Sequence, residues 1–369
     1  MGAPSGRLPR ADRRSDGPGL VMVSGADRAF RLPPVALAIS GALVMGSMLA
    51  AAAIGPPDLG VGAILAELLD GLPFLTIDSG LSESEQVILW QWRLPRAVLG
   101  GLVGAALALS GATYQGVFRN PLADPYLLGV AAGAGLGATL AIVGGIDLGW
   151  GPFDTVAAAA FIGALVGVTM ASAIGRGPGA TPATLVLAGV AVASFLTAVQ
   201  TYVMQRNSDT LRQVYTWILG RLGTAGWGEV ILLAPYVAVC GVVILAHRRH
   251  LDVLRLGDEE AIAVGVRPGR VRLVLVVAAS LLAAAAVSVS GLISFVGIII
   301  PHLVRLAVGS SYRIVLPLSA IGGAAFLMLA DLAARTIASP AELPIGVVTA
   351  FFGAPFFGLV LLSSRRSLA

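Results

Sequence analysis

The sequence predicts an all-α, polytopic membrane protein of about ten transmembrane helices, and three observations lead to that class. Hydrophobic residues make up 57% of the 369 and charged residues only 12%, against about a quarter charged in a soluble domain. Apolar runs of roughly 17 to 25 residues recur along the chain, each long enough to cross about 30 Å of hydrocarbon as a helix. The 24 basic residues, all arginine, fall unevenly between the connections, as the preference of positive charge for the cytoplasmic side requires.

Taken in order, residues 1–31 carry arginines among Pro, Gly, Ser and Asp with no apolar period, the composition of a flexible cytoplasmic tail. One transmembrane domain is expected over 32–363 and a short cytoplasmic tail over 364–369. The run 32–54 and its charged leader are both too long for a cleaved signal peptide, so it is read as the first span. Further spans are expected near 94–118, 127–145, 153–174, 184–205, 229–246, 271–290, 292–308, 314–334 and 345–363. Polar stretches at 56–91 and 206–228 interrupt them, the second with a short surface helix over 210–219. The longest charged connection is 247–270. With the N-terminus inside, Arg93, Arg96, Arg206, Arg212, Arg221 and Arg335 fall outside and the remaining 18 of 24 inside. That threefold bias supports cytoplasmic termini and an even number of spans.

A shift of 180 positions lays Ser110 and Gly111 on Ser290 and Gly291, Pro121 on Pro301, and Gly129 on Gly309. The shift separates blocks of five helices, an odd number that reverses orientation, so a weak five-plus-five inverted repeat is expected. Small residues four apart, at Gly100 and Gly104 and at Gly129, Gly133 and Gly137, let helices approach closely in lipid. The glycine-rich run 133–137 has no strand before it and is read as packing.

Several chemistries are excluded. A phosphate-binding loop of the ATPase type needs a lysine at the terminal phosphates, and the chain has none, so any ATP hydrolysis must come from a partner. His247, His250, His302 and the single Cys240 form no metal-ligand spacing. With no nucleophile elbow or paired carboxylates either, neither a catalytic nor a metal-binding residue is expected. The net charge of +4 follows from topology and implies no nucleic acid. In the 247–270 connection, Asp258 is expected to cap a short helix. Glu259 and Glu260 would lie in its positive first turn and Gly265 at its end. The result is an ordinary loop or an amphipathic knob suited to a socket on a soluble partner.

The motifs then become specific in their order: Arg93-Leu94-Pro95-Arg96, Ser110-Gly111 through Gln115, Asn120-Pro121-Leu122-Ala123-Asp124-Pro125 with Leu128-Gly129, and Gly257-Asp258-Glu259-Glu260-Ala261. Ser290-Gly291 through Gly297 with Pro301-His302 follows, then Glu342-Leu343-Pro344-Ile345-Gly346 with Gly353-Ala354-Pro355. From about residue 35 to 363 the chain resembles the FecCD-type ABC transporter permeases, which import ferric siderophores, haem and vitamin B12. The resemblance implies a multi-pass permease of the cell's plasma or inner membrane, with a translocation path between two subunits, identical or paralogous. It also implies two cytoplasmic ATPase subunits that hold ATP and Mg, no cofactor on this chain, and an extracytoplasmic solute-binding protein. A ferric siderophore is the expected cargo, with haem or a corrinoid as alternatives.

Residue by residue, the resemblance assigns ATPase coupling to Gly257, Asp258, Glu259, Glu260, Ala261 and Gly265, and binding-protein docking to Arg93, Arg96 and Arg335. Guanidinium groups suit bidentate pairing with an acidic partner, but Arg93 and Arg96 equally suit anchoring a helix end, and Arg335 equally suits pairing with Asp331 one turn earlier. The path is expected along Ser194, Thr197, Gln200 and Thr201, with Thr113 and Gln115 beside it. The cytoplasmic gate is expected at Thr181, Pro182, Ala183 and Thr184, where Pro182 and Ala183 replace the small hydroxyl pair expected of a vitamin B12 importer. The competing class is an ion-coupled secondary transporter, with Asp331, Arg335, His302 and Arg305 as a proton relay.

Overall fold

The computed structural model describes Gly2 and residues 34–71, 77–146, 154–175, 177, 181–223 and 226–366, without the side chains of Pro182 and 360–366. The tail expected over 1–31 lies, Gly2 apart, outside the described residues, as do 367–369 of the expected C-terminal tail. The chain divides into two units, Met1–Arg31 and Leu32–Ala369, and all that follows concerns the second.

Every described element of that unit is helical. In order they are α1 (Pro34–Ala53), α2 (Val61–Asp70), α3 (Glu83–Val87), a π-helical segment (Ile88–Arg93), α4 (Leu94–Val117), α5 (Val130–Gly144), α6 (Thr155–Gly175) and α7 (Pro182–Arg206). A 3₁₀ turn (Ser208–Thr210), α8 (Leu211–Ile218), α9 (Trp227–Ala246), α10 (Arg248–Leu254) and α11 (Asp258–Ala263) follow. The last four are α12 (Pro268–Ser290), α13 (Val296–Val308), α14 (Tyr312–Thr336) and α15 (Ile345–Arg366). Among the described residues seven helices are long and apolar enough to cross a membrane, and α5, α13 and α15 are shorter apolar helices. Together these ten match the expected spans.

Length separates the elements that cross from those that do not. The stretch from Glu83 to Val117 runs as one 35-residue helix through the π segment, about 50 Å at 1.5 Å per residue, so it overshoots the hydrocarbon. Short helices gather at the two ends. We call the end with residues 54–71 and 77–93 the cap face and the end with residues 247–267 the knob face. On the cap face Ser82 and Glu85 close a reciprocal capping box at the start of α3. Trp90 Nε1 donates to Glu67 at 3.1 Å, and Trp227 Nε1 donates to the Trp90 carbonyl at 2.8 Å. The helix expected over 210–219 forms as α8, with Val214 and Trp217 buried.

Side-chain distribution is that of a protein solvated by lipid. Most of α4, α12 and α14 is buried, whereas a third or less of α1, α6, α7 and α9 is, and these expose Ile39, Leu187, Phe195, Ile231 and Val242. Small residues bring the buried helices together. A Cβ on Gly104 would lie 2.1 Å from the Gly323 carbonyl oxygen, and one on Gly133 2.1 Å from that of Gly163, so α4–α14 and α5–α6 pack backbone to backbone.

Two expected spans begin late, α5 at 130 rather than 127 and α13 at 296 rather than 292. The residues before each helix are irregular and meet in the interior. Tyr126 Oη donates to the Ile293 carbonyl at 2.8 Å and accepts from the Ile293 amide at 3.1 Å. Gln115 Nε2 donates to the Gly297 carbonyl at 3.0 Å. Irregular backbone at this depth is sustained only where protein groups replace the missing hydrogen bonds, and these side chains do so.

Candidate functional site

The knob face is built on α10 and α11. Gly257, at φ 152°, turns the chain between them, and Gly265, at φ 81°, ends α11 as expected of a left-handed terminator. Asp258 does not cap α11. It is the first helical residue, Gly257 holds the cap position, and no side chain caps the helix, because the Asp258 carboxylate is taken by two arginines. Arg272 of α12 donates to both oxygens at 2.7 and 2.6 Å, and Arg119, just past the end of α4, adds a third bond through Nη2. The hydrogen bond from Arg272 and the two positive charges hold this carboxyl below the usual aspartate range, against the upward pull of partial burial. Arg119 Nε also donates to the Leu254 carbonyl at 2.7 Å, tying the end of α10 to the same point.

Asp252 of α10 does for α14 what Asp258 does for α12. Its two oxygens accept from the Tyr312 amide and the Ser311 hydroxyl, both at 2.7 Å. Glu259 and Glu260 remain exposed beside exposed Leu256, Ile262 and Val264, whereas Ala261 is buried. The knob thus turns apolar and acidic side chains outward while its inner face is bolted to three long helices. Sequence reasoning used Arg119 and Arg272 only as markers of orientation and gave Asp252 no role. A carboxylate and an arginine far apart in sequence carry no local pattern that pairs them.

On the cap face the three arginines expected to dock a partner are engaged within the chain. Arg93, 7% exposed, donates to the carbonyls of Ala52 at 2.7 Å and Ala53 at 3.0 Å, and to those of Gly55 and Pro57. The guanidinium thus anchors the end of α1 and the turn after it, the alternative role that the sequence left open. Arg96 grips Asp331 with Nε and Nη2 at 2.9–3.1 Å and Glu342 with Nη1 and Nη2 at 2.9 and 3.1 Å. Arg335 donates to the Ala51 carbonyl and lies 3.9 Å from Asp331. A cavity of about 360 Å³ opens over Trp92, Arg93, Arg96, Arg335 and Glu342, and only Glu342 among its charged side chains is half exposed.

The expected path residues divide in two. Ser194, Thr197 and Thr201 lie on the exposed face of α7, which also carries Leu187, Val190, Phe195 and Tyr202. Gln200, Thr113 and Gln115 are buried, each with a partner inside the chain. Gln200 donates to Thr139 of α5 at 3.0 Å, Thr113 to the Leu109 carbonyl at 2.7 Å, and Gln115 braces the irregular segments. At the expected gate Thr181 and Thr184 are spent on a reciprocal capping box that opens α7, with bonds of 3.3 and 2.9 Å. Ala183 is exposed, and the side chain of Pro182 lies outside the described residues.

The proton relay is not assembled. Asp331 lies 19 residues beyond Tyr312 on α14, about 28 Å along the helix, and Arg305 stands over the Tyr312 ring at 5.8 Å. Among the described residues no group of three or more His, Cys, Asp or Glu side chains is placed to hold a metal.

The sequence profile of the FecCD transport family matches residues 43–363. The chain belongs to the FecCD transport family. Among its relatives it is similar to the cobalamin import system permease protein BtuC of Halobacterium salinarum, 41% identical over 289 residues, 78% of this chain and 76% of that one. It is also similar to the hemin transport system permease protein HmuU of Yersinia pestis, 40% identical over 280 residues, 74% of this chain and 83% of that one. In structure it resembles a putative metal-chelate type ABC transporter in an inward-facing conformation, with a TM-score of 0.78 and 28% identity, covering 90% of this chain and all of that one. As a FecCD chain it is a multi-pass ABC importer permease, a transport component whose class works with ATPase and binding-protein partners.

Proposed function

We propose that this permease imports a ferric siderophore across the cell's plasma or inner membrane, with ATP and Mg held by two ATPase subunits seated on the knob face. The knob face is cytoplasmic in this reading, in keeping with the arginine bias of the sequence, and the cap face receives the binding protein. The observation that carries the reading is the exposed face of α7. It runs from Thr184 through Leu187, Ser194, Thr197 and Thr201 to Tyr202 without a charged side chain, and these residues stay exposed among the described residues.

Such a surface suits one wall of a path shared with a second subunit, identical or paralogous. Hydroxyl and aromatic groups without fixed charge fit a bulky chelate whose metal charge is neutralised by its own organic ligand, and would hold a bare cation poorly. Haem and corrinoids share that property, so the cargo is decided by measurement. The complex of this chain with its ATPase and binding protein, reconstituted in vesicles, should accumulate labelled ferric siderophore in an ATP-dependent manner. Accumulation of haem or cobalamin alone would reassign the cargo. Uptake by this chain without an ATPase, driven by a proton gradient, would overturn the proposal.

On the cap face the pairing of Arg96 with half-exposed Glu342 supports docking there, through Arg96 and Arg335, of a binding protein that presents carboxylates. Docking in this form exchanges an internal carboxylate for an external one.

A further inference from the structure

We infer that α4 and α14 form a single rigid strut between the cap and knob faces, and that Asp258 and Asp252 are the positioning residues that fasten the knob to it. The inference deepens the proposal that the knob receives the ATPase, and it rests on that reading.

The strut is visible along its whole length. At the cap end Arg96 of α4 and Asp331 of α14 are joined by three hydrogen bonds, with the Asp331 side chain 4% exposed. Midway, Gly104 and Gly323 leave no room for a side chain, each Cβ position falling within 2.3 Å of the other's carbonyl oxygen. At the knob end Gly116 lies under both Leu251 and the Tyr312 ring, its Cβ position 2.8 and 3.0 Å from them. Two helices held at top, middle and bottom by an ion pair, backbone contact and a shared side chain cannot slide or splay without breaking close packing.

The knob is then joined to both members. Asp258 reaches α4 through Arg119, and Asp252 accepts from the first turn of α14. Arg272, through Asp258, gives the knob a third attachment, to α12. A lone exposed ion pair holds little, but here two carboxylates accept five hydrogen bonds in all between one short loop and three long helices. Displacement of the knob is thereby passed to the helices that end beside the cap cavity, and the reverse. Coupling of this kind requires a physical element that both sites bias, and the strut is that element.

The test uses the complete reconstituted complex and reads substrate imported per ATP hydrolysed, together with the acceleration of hydrolysis by loaded binding protein. Asp258→Asn and Asp252→Asn are each expected to lower the transport-to-hydrolysis ratio about tenfold, a usual size for a coupling term. Amide exchange should quicken in 248–266, and Asp258→Glu should restore part of the ratio. An unchanged ratio in both Asn variants, or hydrolysis and transport falling in strict proportion with no recovery in the Glu variant, would overturn the strut. If an Asn variant fails to assemble, Arg119→Lys, which keeps the charge but loses the Nε bond to Leu254, gives the same readout. Failure of the wild-type chain to bind or stimulate any ATPase would instead remove the proposed function itself.

Discussion

Arg96 and Asp331 are 235 positions apart in sequence and share three hydrogen bonds of 2.9–3.1 Å at the cap end of the molecule. The arginine reaches inward to a buried carboxylate and outward to a half-exposed one, Glu342, so its two edges have different partners and different tasks.

Removing the inner pairing should be a stability event first. Arg96→Ala leaves buried Asp331 without its hydrogen-bonded cation and with only Arg335, 3.9 Å away, so the loss approaches the about 3–5 kcal/mol of a broken buried pair. The expected outcome is a clear fall in the detergent melting midpoint, whereas Arg96→Ala combined with Asp331→Ala recovers much of it. Equal midpoints for the single variant and the wild type would contradict the burial argument.

The outer pairing should behave in the opposite way. Glu342→Gln removes the charge that competes for the exposed edge of Arg96, so an acidic partner should bind several-fold more tightly, about 1 kcal/mol on the scale of exposed ion pairs. Surface-immobilised permease titrated with its binding protein reads this directly. Weaker binding by the Gln variant would mean that Glu342 itself makes the contact.

At the centre, Gly104→Ala places a methyl carbon 2.1 Å from the Gly323 oxygen, closer than any packing allows. The backbones must separate, at a cost of about 1–3 kcal/mol for overpacking. Lower yield and a lower melting midpoint are expected, with Gly62→Ala, which meets nothing within 4 Å, as the neutral control.

The pH dependence of the knob follows from the direction of the Asp258 shift. A depressed folded pKa means that its stabilisation is complete above the ordinary aspartate value near 4 and is lost as pH falls through the lower folded value. Proteolysis of 248–266 in the complex should therefore be constant from about pH 8 to 5 and rise only below about 4. A rise already at pH 6 would exclude Asp258 as the fastening group.

Much of this architecture was legible in the sequence because it is written in length and polarity. Apolar runs of membrane length marked ten spans, and Gly265 marked the end of α11 because few residues other than glycine take up such a φ value, whereas the cap fell to Gly257 and not to Asp258. What escaped was side-chain direction. Ser194, Thr197, Gln200 and Thr201 were read together as polar residues of one path, but Gln200, one residue from Thr201, turns about 100° around the helix and into α5. Arg93 and Arg96 differ likewise, three residues apart with the π segment ending between them, so one anchors a turn and the other opens toward the cavity. Pairing over hundreds of positions, as in Arg96 with Asp331 or Arg119 with Asp258, leaves no periodic trace to read.

Cys240, the single cysteine, lies buried in α9 at 3% exposure, out of reach of a reagent. A maleimide probe will therefore pass it over, and a replacement such as Cys240→Ala disturbs little volume. Any thiol introduced on the knob or beside the cap cavity becomes the sole labelling point of the subunit, so distances across the bilayer can be followed by fluorescence or spin resonance during a transport cycle.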